Sequence, residues 1–482
     1  MRLSIISKVL GVLLMLFSLT LIPPAFVSLW YDDKSHLSFL LAFFITLITG
    51  LVLWFPTYTI RQELRTRDGF LITALFWAVL ALFGSLPFMF SAAMQVSFTD
   101  AIFEALSGLT TTGATVIVGL DYMPQSLLYY RQQLQWLGGI GIIVIAVAIL
   151  PMLGIGGMQL YRAEIPGPVK DNKLTPRITE TAKALFMIYL TLTVACALAY
   201  WVAGMSLFDA IGHAYSTVAI GGFSTHDASM GFFQNEGIYL VAIVFMILSG
   251  INFALHFTVW RARNIKSYWY DPECRFYFSM ILLGTLITVG YLYYTSTYNL
   301  HKSMIEGTFE LVSILTTTGF GVADFASWPT FLPYLIFMFA FMGGCAGSTG
   351  GGMKMIRIML IFKQGVREIN RLIHPNAIIS IKIGSKTVSD RVVEAVWGFF
   401  AVYVICYVIM MLLLLGTGLD VTTAFTAVGA SLNNLGPGLG EVASNYSTIN
   451  NPAKWVLCFA MLLGRLEVFT LLVLFSPLFW RR

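Results

Sequence analysis

Four segments of this sequence share a pattern suited to handling a cation stripped of water. EALSGLTTTG (104–113) and ELVSILTTTG (310–319) each set a short apolar stretch in front of three threonines and a glycine. HAYSTVAIGG (213–222) is a weaker third copy and TAVGASLNNLG (426–436) a fourth. Glycine tolerates positive φ and keeps a side chain out of a narrow passage. Carbonyls exposed by such a turn can replace the hydration shell of an alkali ion.

A second marker tests the alignment. Sixteen residues before Gly113, Gly222, Gly319 and Gly436 stand Ser97, Ser206, Ser303 and Asp420, all types that cap helix N-termini. Three residues on come Asp100, Asp209 and Glu306, as in a capping box, with Thr423 as the weaker fourth. A lone TTTG is as well explained by a turn or a packing glycine. Four copies in register with their caps favour one repeated unit, which begins a helix of about a dozen residues, too short to cross a bilayer.

The elements that position these units must be membrane spans. Hydrophobic residues make up 57% of the 482, charged residues 11%, and the mean hydropathy is +0.79. A soluble chain would carry about twice that charged fraction. Residues 38–60, 69–92, 133–160, 184–208, 276–297 and 395–416 contain no Asp, Glu, Lys or Arg. Each is long enough for a hydrocarbon core of about 30 Å. Adding 9–29, 237–260, 330–353 and 453–480 gives ten expected spans. Residues 1–25 also fit a secretory signal, but the short turn WYDDKSH before the next apolar run favours a spanning hairpin.

Twenty-four of the 29 Lys and Arg fall on one side of this layout, and Lys34, Arg131, Lys302 and Lys454 on the other. The positive-inside rule then puts both termini in the cytoplasm. The net charge of +5 reads as topology and implies no nucleic acid. The five scattered cysteines suggest neither a metal site nor a disulfide framework.

The expected fold is an all-α integral membrane protein: an N-terminal hairpin (1–66) followed by four units of span, re-entrant half-helix, extended loop and span. Their bounds are 67–165, 166–265, 266–375 and 376–482. The half-helices enter from outside and aim their partly negative C-terminal ends at a common centre, which favours a cation. Non-helical backbone at this depth survives only when buried in protein or lining a wet cavity.

Two features lie below that centre. GGCAGSTGGG (343–352) places Gly343, Gly344, Gly347, Gly350, Gly351 and Gly352 around Ser348 and Thr349. Each interior glycine costs a helix about 1 kcal/mol relative to alanine, so the inner helix of the third unit should break. A phosphate loop is excluded, because Met353 and Met355 flank Lys354 where Gly-Lys-Ser/Thr is required. A flexible intramembrane loop obstructing the passage fits better than plain packing glycines. Arg465, in MLLGRLEVF, falls near the middle of the last expected span, 29 residues after Gly436; the same step from Gly319 reaches Ser348. A charge there should face a cavity or a partner, either the glycine-rich loop or Glu467. His256 and Asn252 read as packing residues, and the basic stretch 363–391 as cytoplasmic anchoring with room for a docking partner.

With its four span–loop–span units, single glycine per loop, extra hairpin, glycine-rich break and late arginine, the chain resembles end to end the superfamily of Trk, Ktr and HKT cation transporters, and within it the membrane subunit of bacterial Trk potassium-uptake systems. The resemblance implies K⁺ moving down its electrochemical gradient as the transported ion, with Rb⁺ and Na⁺ as further permeants and no covalently bound cofactor. It implies a bacterial inner membrane location with surrounding lipid, a homodimer with one pore per subunit, and a cytosolic regulatory subunit binding NAD, ATP or ADP. Carried over residue by residue, the selectivity filter is Thr111, Thr112, Gly113, Ile220, Gly221, Gly222, Thr317, Thr318, Gly319, Asn434, Leu435 and Gly436. The gate is the 343–352 loop with Arg465. The loops depart from the TVGYG filter of potassium channels, sharing one glycine each, so fewer stacked carbonyl rings should mean fewer ion sites and weaker discrimination against Na⁺.

A secondary symporter coupling K⁺ to H⁺ or Na⁺ is the alternative, since carriers also use broken helices at the midplane. Such folds show inverted repeats and intramembrane acids; here the repeats share one orientation and Glu467 is the one mid-span acid. No carboxylate pair, metal cluster or nucleophile–base set at a common depth suggests an enzyme.

Overall fold

The computed structural model describes residues 3–60, 66–94, 96–149 and 178–481. Among them the fold is helical apart from one two-residue antiparallel pair, Lys382–Ile383 with Lys386–Thr387. Six helices are long and apolar enough to cross a membrane: Leu3–Tyr31, His36–Thr57, Arg67–Phe90, Ala182–Val202, Pro272–Tyr294 and Asp390–Gly416. Two bent pairs raise the number to eight.

The ten expected spans are corrected in two places, and the break expected in a third is present. The segments 237–260 and 453–480 are not single helices: Glu236–Ser249 and Phe253–Ala262 meet at 93°, and Asn451–Arg465 and Phe469–Phe475 at 108°. The first break follows from Asn252, whose side chain accepts from the Ala254 N–H and starts a new helix; the second from Glu467 and Val468, both at positive φ. The segment 330–353 is helical over Leu332–Phe339 and resumes helix at Met355–Ile373. Its glycines hold the intervening chain out of helix, with Gly343, Gly347 and Gly352 at positive φ. The end of the expected span 133–160, and Arg61, Arg65, Arg162, Lys170, Lys173 and Arg177 of the 24 charges counted on one side, lie outside the described residues.

The first hairpin packs backbone against backbone. A Cβ on Gly11 would sit 2.7 Å from the Gly50 carbonyl oxygen, and one on Gly50 2.8 Å from that of Gly11. Small residues at such a crossing let two apolar helices gain dispersion contact where no hydrophobic effect drives them together.

Four short helices follow the same local logic: Phe98–Leu109, Leu207–Ala219, Leu300–Leu315 and Val421–Leu432. The Ser97 and Ser206 hydroxyls accept from the Asp100 and Asp209 N–H groups, and the Asp420 carboxylate from Thr422 and Thr423. Those Thr423 hydrogen bonds hold the Asp420 carboxyl below the usual range. The third cap is corrected. Asn299 caps that helix through the Lys302 N–H, and Ser303 is buried one turn further in. Asparagine in extended backbone outcompetes a serine four residues later, so this helix is a turn longer, and Glu306 pairs with Lys302 at 3.6 Å instead of closing a capping box.

Candidate ion-conduction site

Each short helix ends in the same turn. The N–H groups of Thr112, Gly221, Thr318 and Leu435 reach back five residues to the carbonyls of Ser107, Ser216, Ser313 and Ala430 at 2.7–2.8 Å, the wide hydrogen bond of a Schellman ending. The residue before each takes the left-handed conformation that ending requires: Thr111 at φ 53°, Ile220 at 56°, Thr317 at 66° and Asn434 at 52°. Asparagine accepts this readily, whereas a β-branched residue there is an outlier costing about 1–3 kcal/mol and held by its surroundings. The next residue but one is the aligned glycine, again at positive φ: Gly113 79°, Gly222 78°, Gly319 83° and Gly436 97°.

The four loops abut in a closed circuit. A Cβ on Gly113 would lie 2.1 Å from the Gly221 carbonyl oxygen, one on Gly222 2.1 Å from that of Thr318, and one on Gly319 2.1 Å from that of Leu435. One on Gly436 would lie 2.7 Å from that of Thr112, which returns the circuit to the first loop. The four loops that carry the twelve expected lining residues are therefore brought together in sequence order. Outside the circuit the same order is stapled by Lys454 to Asp100 at 2.7 Å, His226 to Asp121 at 2.5 Å, and the Gly231 N–H to the Gly321 carbonyl at 3.1 Å.

Behind the loops stand residues that sequence reasoning missed. Glu104, nine residues before Gly113, accepts from Arg131 at 2.8 Å and from the Val116 N–H at 2.9 Å. Arg131, only 1% exposed, also donates to the Ser224 carbonyl and the Thr115 hydroxyl and is a buried brace. Lys454, 4% exposed, is likewise buried. At the same register in the third unit, Glu310 accepts from Val322 and Ala323; in the second, His213 bonds Ser224. Gln135 donates to the Gly221 carbonyl and accepts from the Phe223 N–H, and the Tyr446 hydroxyl donates to the Gly436 carbonyl. The available signal was the polar run Arg131, Gln132, Gln133 and Gln135 at the start of an otherwise apolar stretch, since buried amides need partners.

The glycine-rich segment crosses beneath the ends of three short helices. Thr349 donates to the Val218 carbonyl at 2.9 Å, the Gly351 N–H to the Thr317 hydroxyl at 2.7 Å, and the Gly352 N–H to the Asn433 carbonyl at 3.0 Å. A Cβ on Gly351 would overlap the Asn433 carbonyl oxygen at 1.9 Å, so only glycine permits this approach. The remaining side is reached by Arg465, the last residue of its helix, at the bend between Asn451–Arg465 and Phe469–Phe475. Its guanidinium donates to the Gly138 carbonyl, and lies 3.4 Å from the Thr111 hydroxyl and 3.5 Å from the Thr349 carbonyl. Glu467 pairs instead with Arg357 at 2.8 Å. His256 is a satisfied packing residue, bonded to the Tyr268 hydroxyl and the Leu248 carbonyl.

A model of the family TrkH, described as cation transport protein, matches residues 35–481. The Trk system potassium uptake protein TrkH of Halomonas elongata is 58% identical over 482 residues, covering all of both chains. That of Escherichia coli strain K12 is 53% identical over 485 residues, again covering both in full. The crystal structure of the potassium transporter TrkH from Vibrio parahaemolyticus aligns over 100% of both chains with a TM-score of 0.91 at 52% identity. With this helical framework and this match over nearly its whole length, the chain belongs to the TrkH family of cation transport proteins.

Proposed function

We propose that this protein takes up K⁺ through a gated, channel-like pore at the centre of four span–half-helix–span units that follow an N-terminal hairpin. The observation that carries this reading is the closed circuit of Gly113, Gly222, Gly319 and Gly436, each against the next loop's backbone. Four left-handed turns packed edge to edge hold their remaining backbone rigid, and rigid carbonyls can offset the dehydration of an alkali ion without reorganising. The names of the relatives, potassium uptake proteins of a Trk system, support K⁺ as the ion. The 343–352 segment with Arg465 is the closed gate in this reading: backbone obstructs the passage, and a fixed guanidinium repels a cation within it.

The charge asymmetry supports an inner-membrane orientation with both termini in the cytoplasm. Assembly as a homodimer and control by a cytosolic nucleotide-binding subunit complete the proposal. The test is flux of K⁺, Rb⁺ and Na⁺ into liposomes holding the purified protein, with single-channel recording. Resolved unitary K⁺ currents support the pore, whereas slow flux tied to a H⁺ or Na⁺ gradient would replace it with the symporter.

A further inference from the structure

The glycine-rich segment is held from a side its own sequence does not reveal. Glu273, in the first turn of the helix Pro272–Tyr294, is 8% exposed. One carboxylate oxygen, Oε1, accepts from the Ala346 N–H at 2.7 Å and from the Ile356 N–H at 3.0 Å. The first donor lies inside the loop, and the second in the opening turn of the helix Met355–Ile373. That helix begins at Lys354, which sits at φ 77° and makes no side-chain cap. An ammonium has no acceptor lone pair, so the orphan N–H of Ile356 takes its acceptor from another helix, and a carboxylate suits a helix N-terminus. The base of this contact is firm. Asp271 caps the Glu273 helix through the Cys274 N–H at 2.8 Å, and Pro272 fixes its first residue.

We propose that Glu273 is the positioning residue that latches the gate, one carboxylate oxygen tying the front half of the glycine-rich loop to the helix that follows it. Its effect on flux rests on the gating role of that loop. For the loop to swing aside, the Ala346 bond breaks while the Ile356 bond can remain, so the same residue serves as a fixed post in both states. A helix cap with no bearing on the loop is the competing account, and the two separate experimentally because the loop carries its own reporter. Cys345, beside Ala346, is 1% exposed.

In full-length protein with Cys196, Cys274, Cys406 and Cys458 replaced by alanine, we expect Cys345 to resist a water-soluble thiol reagent. Glu273→Ala should raise both its labelling rate and the basal K⁺ flux per inserted molecule by about tenfold, the equilibrium effect of one typical buried hydrogen bond. Glu273→Gln retains an oxygen acceptor without the charge and should fall between the two. Ala346→Pro removes the loop donor alone and leaves the helix cap, so it should reproduce the alanine variant even where Glu273→Ala folds poorly. Unchanged Cys345 labelling in both Glu273→Ala and Ala346→Pro overturns the latch. Raised labelling with unchanged flux, where a Gly350–Gly352 deletion also conducts at the wild-type rate, leaves the latch standing and removes the gating role of the loop. A deletion of Gly350–Gly352 serves as the flux control: if it leaks and Glu273→Ala and Ala346→Pro do not, the gate stands and the latch falls.

Discussion

The Arg465 guanidinium lies 3.5 Å from the Thr349 carbonyl oxygen, joining the end of the Asn451–Arg465 helix to the glycine-rich segment of another unit. The same group reaches Thr111 and Gly138 on a third side. Loop and arginine together therefore lie under all four turns, the loop against Val218, Thr317 and Asn433 and the arginine against Thr111.

Removing that arginine should open the passage. Arg465→Ala takes away a fixed positive charge and its donors to two backbone carbonyls, so basal K⁺ and Na⁺ leak should rise while the preference between the ions changes little. Arg465→Lys keeps the charge but loses the planar fork and should be intermediate. Flux normalised to inserted protein is the measurement; wild-type leak in both variants would leave Arg465 a packing role only.

Shortening the loop should act in the same direction. Deleting three residues of Gly350–Gly352 removes the backbone against Thr316, Asn433 and Ala340, and basal flux should increase without any regulatory partner. A shortened protein that inserts normally and conducts at the original rate would show that the barrier is elsewhere.

Selectivity should depend on the glycine circuit. The Cβ of Gly113→Ser would sit 2.1 Å from the Gly221 carbonyl oxygen, and that of Gly319→Ser 2.1 Å from the Leu435 oxygen. Because both partners are backbone, the neighbouring loop itself must shift. The K⁺ to Na⁺ permeability ratio should fall by about tenfold, equivalent to ~1.4 kcal/mol. A ratio equal to wild type in both variants would sever these glycines from ion selection.

The brace behind the first loop should matter for stability. Arg131→Met leaves the Glu104 carboxylate buried without its counter-charge, a loss of about 3–5 kcal/mol. The melting temperature in detergent should drop. Glu104→Gln combined with Arg131→Met should recover part of the loss, since no net charge is then left buried; equal melting temperatures for the single and double variants would argue against an ion-pair role.

Periodic and local properties were legible in the sequence because they depend on neighbouring residues alone. Apolar length announced the spans at 38–60, 276–297 and 395–416. The caps at Ser97, Ser206 and Asp420 and the four glycines fixed where three short helices begin and where all four turns end. A run of six glycines in ten residues forecast the broken helix, since no packing gain replaces the lost propensity there. The third cap shows the limit of reasoning by register: Asn299 and Ser303 are both competent acceptors, and the backbone entering the helix chose between them.

What only the tertiary structure decided are the partnerships between residues far apart in the chain. No spacing rule links Glu104 to Arg131, Gln135 to the Gly221 carbonyl, or Glu273 to Ala346 and Ile356. Glu467, two residues from Arg465, turns away to Arg357 because the chain bends by 108° directly after the helix that ends in Arg465. The physical reason is common to all of them. A buried polar group must find an acceptor or donor within about 3 Å, and which group stands there is set by how the helices pack, a property of the whole chain that local sequence does not encode.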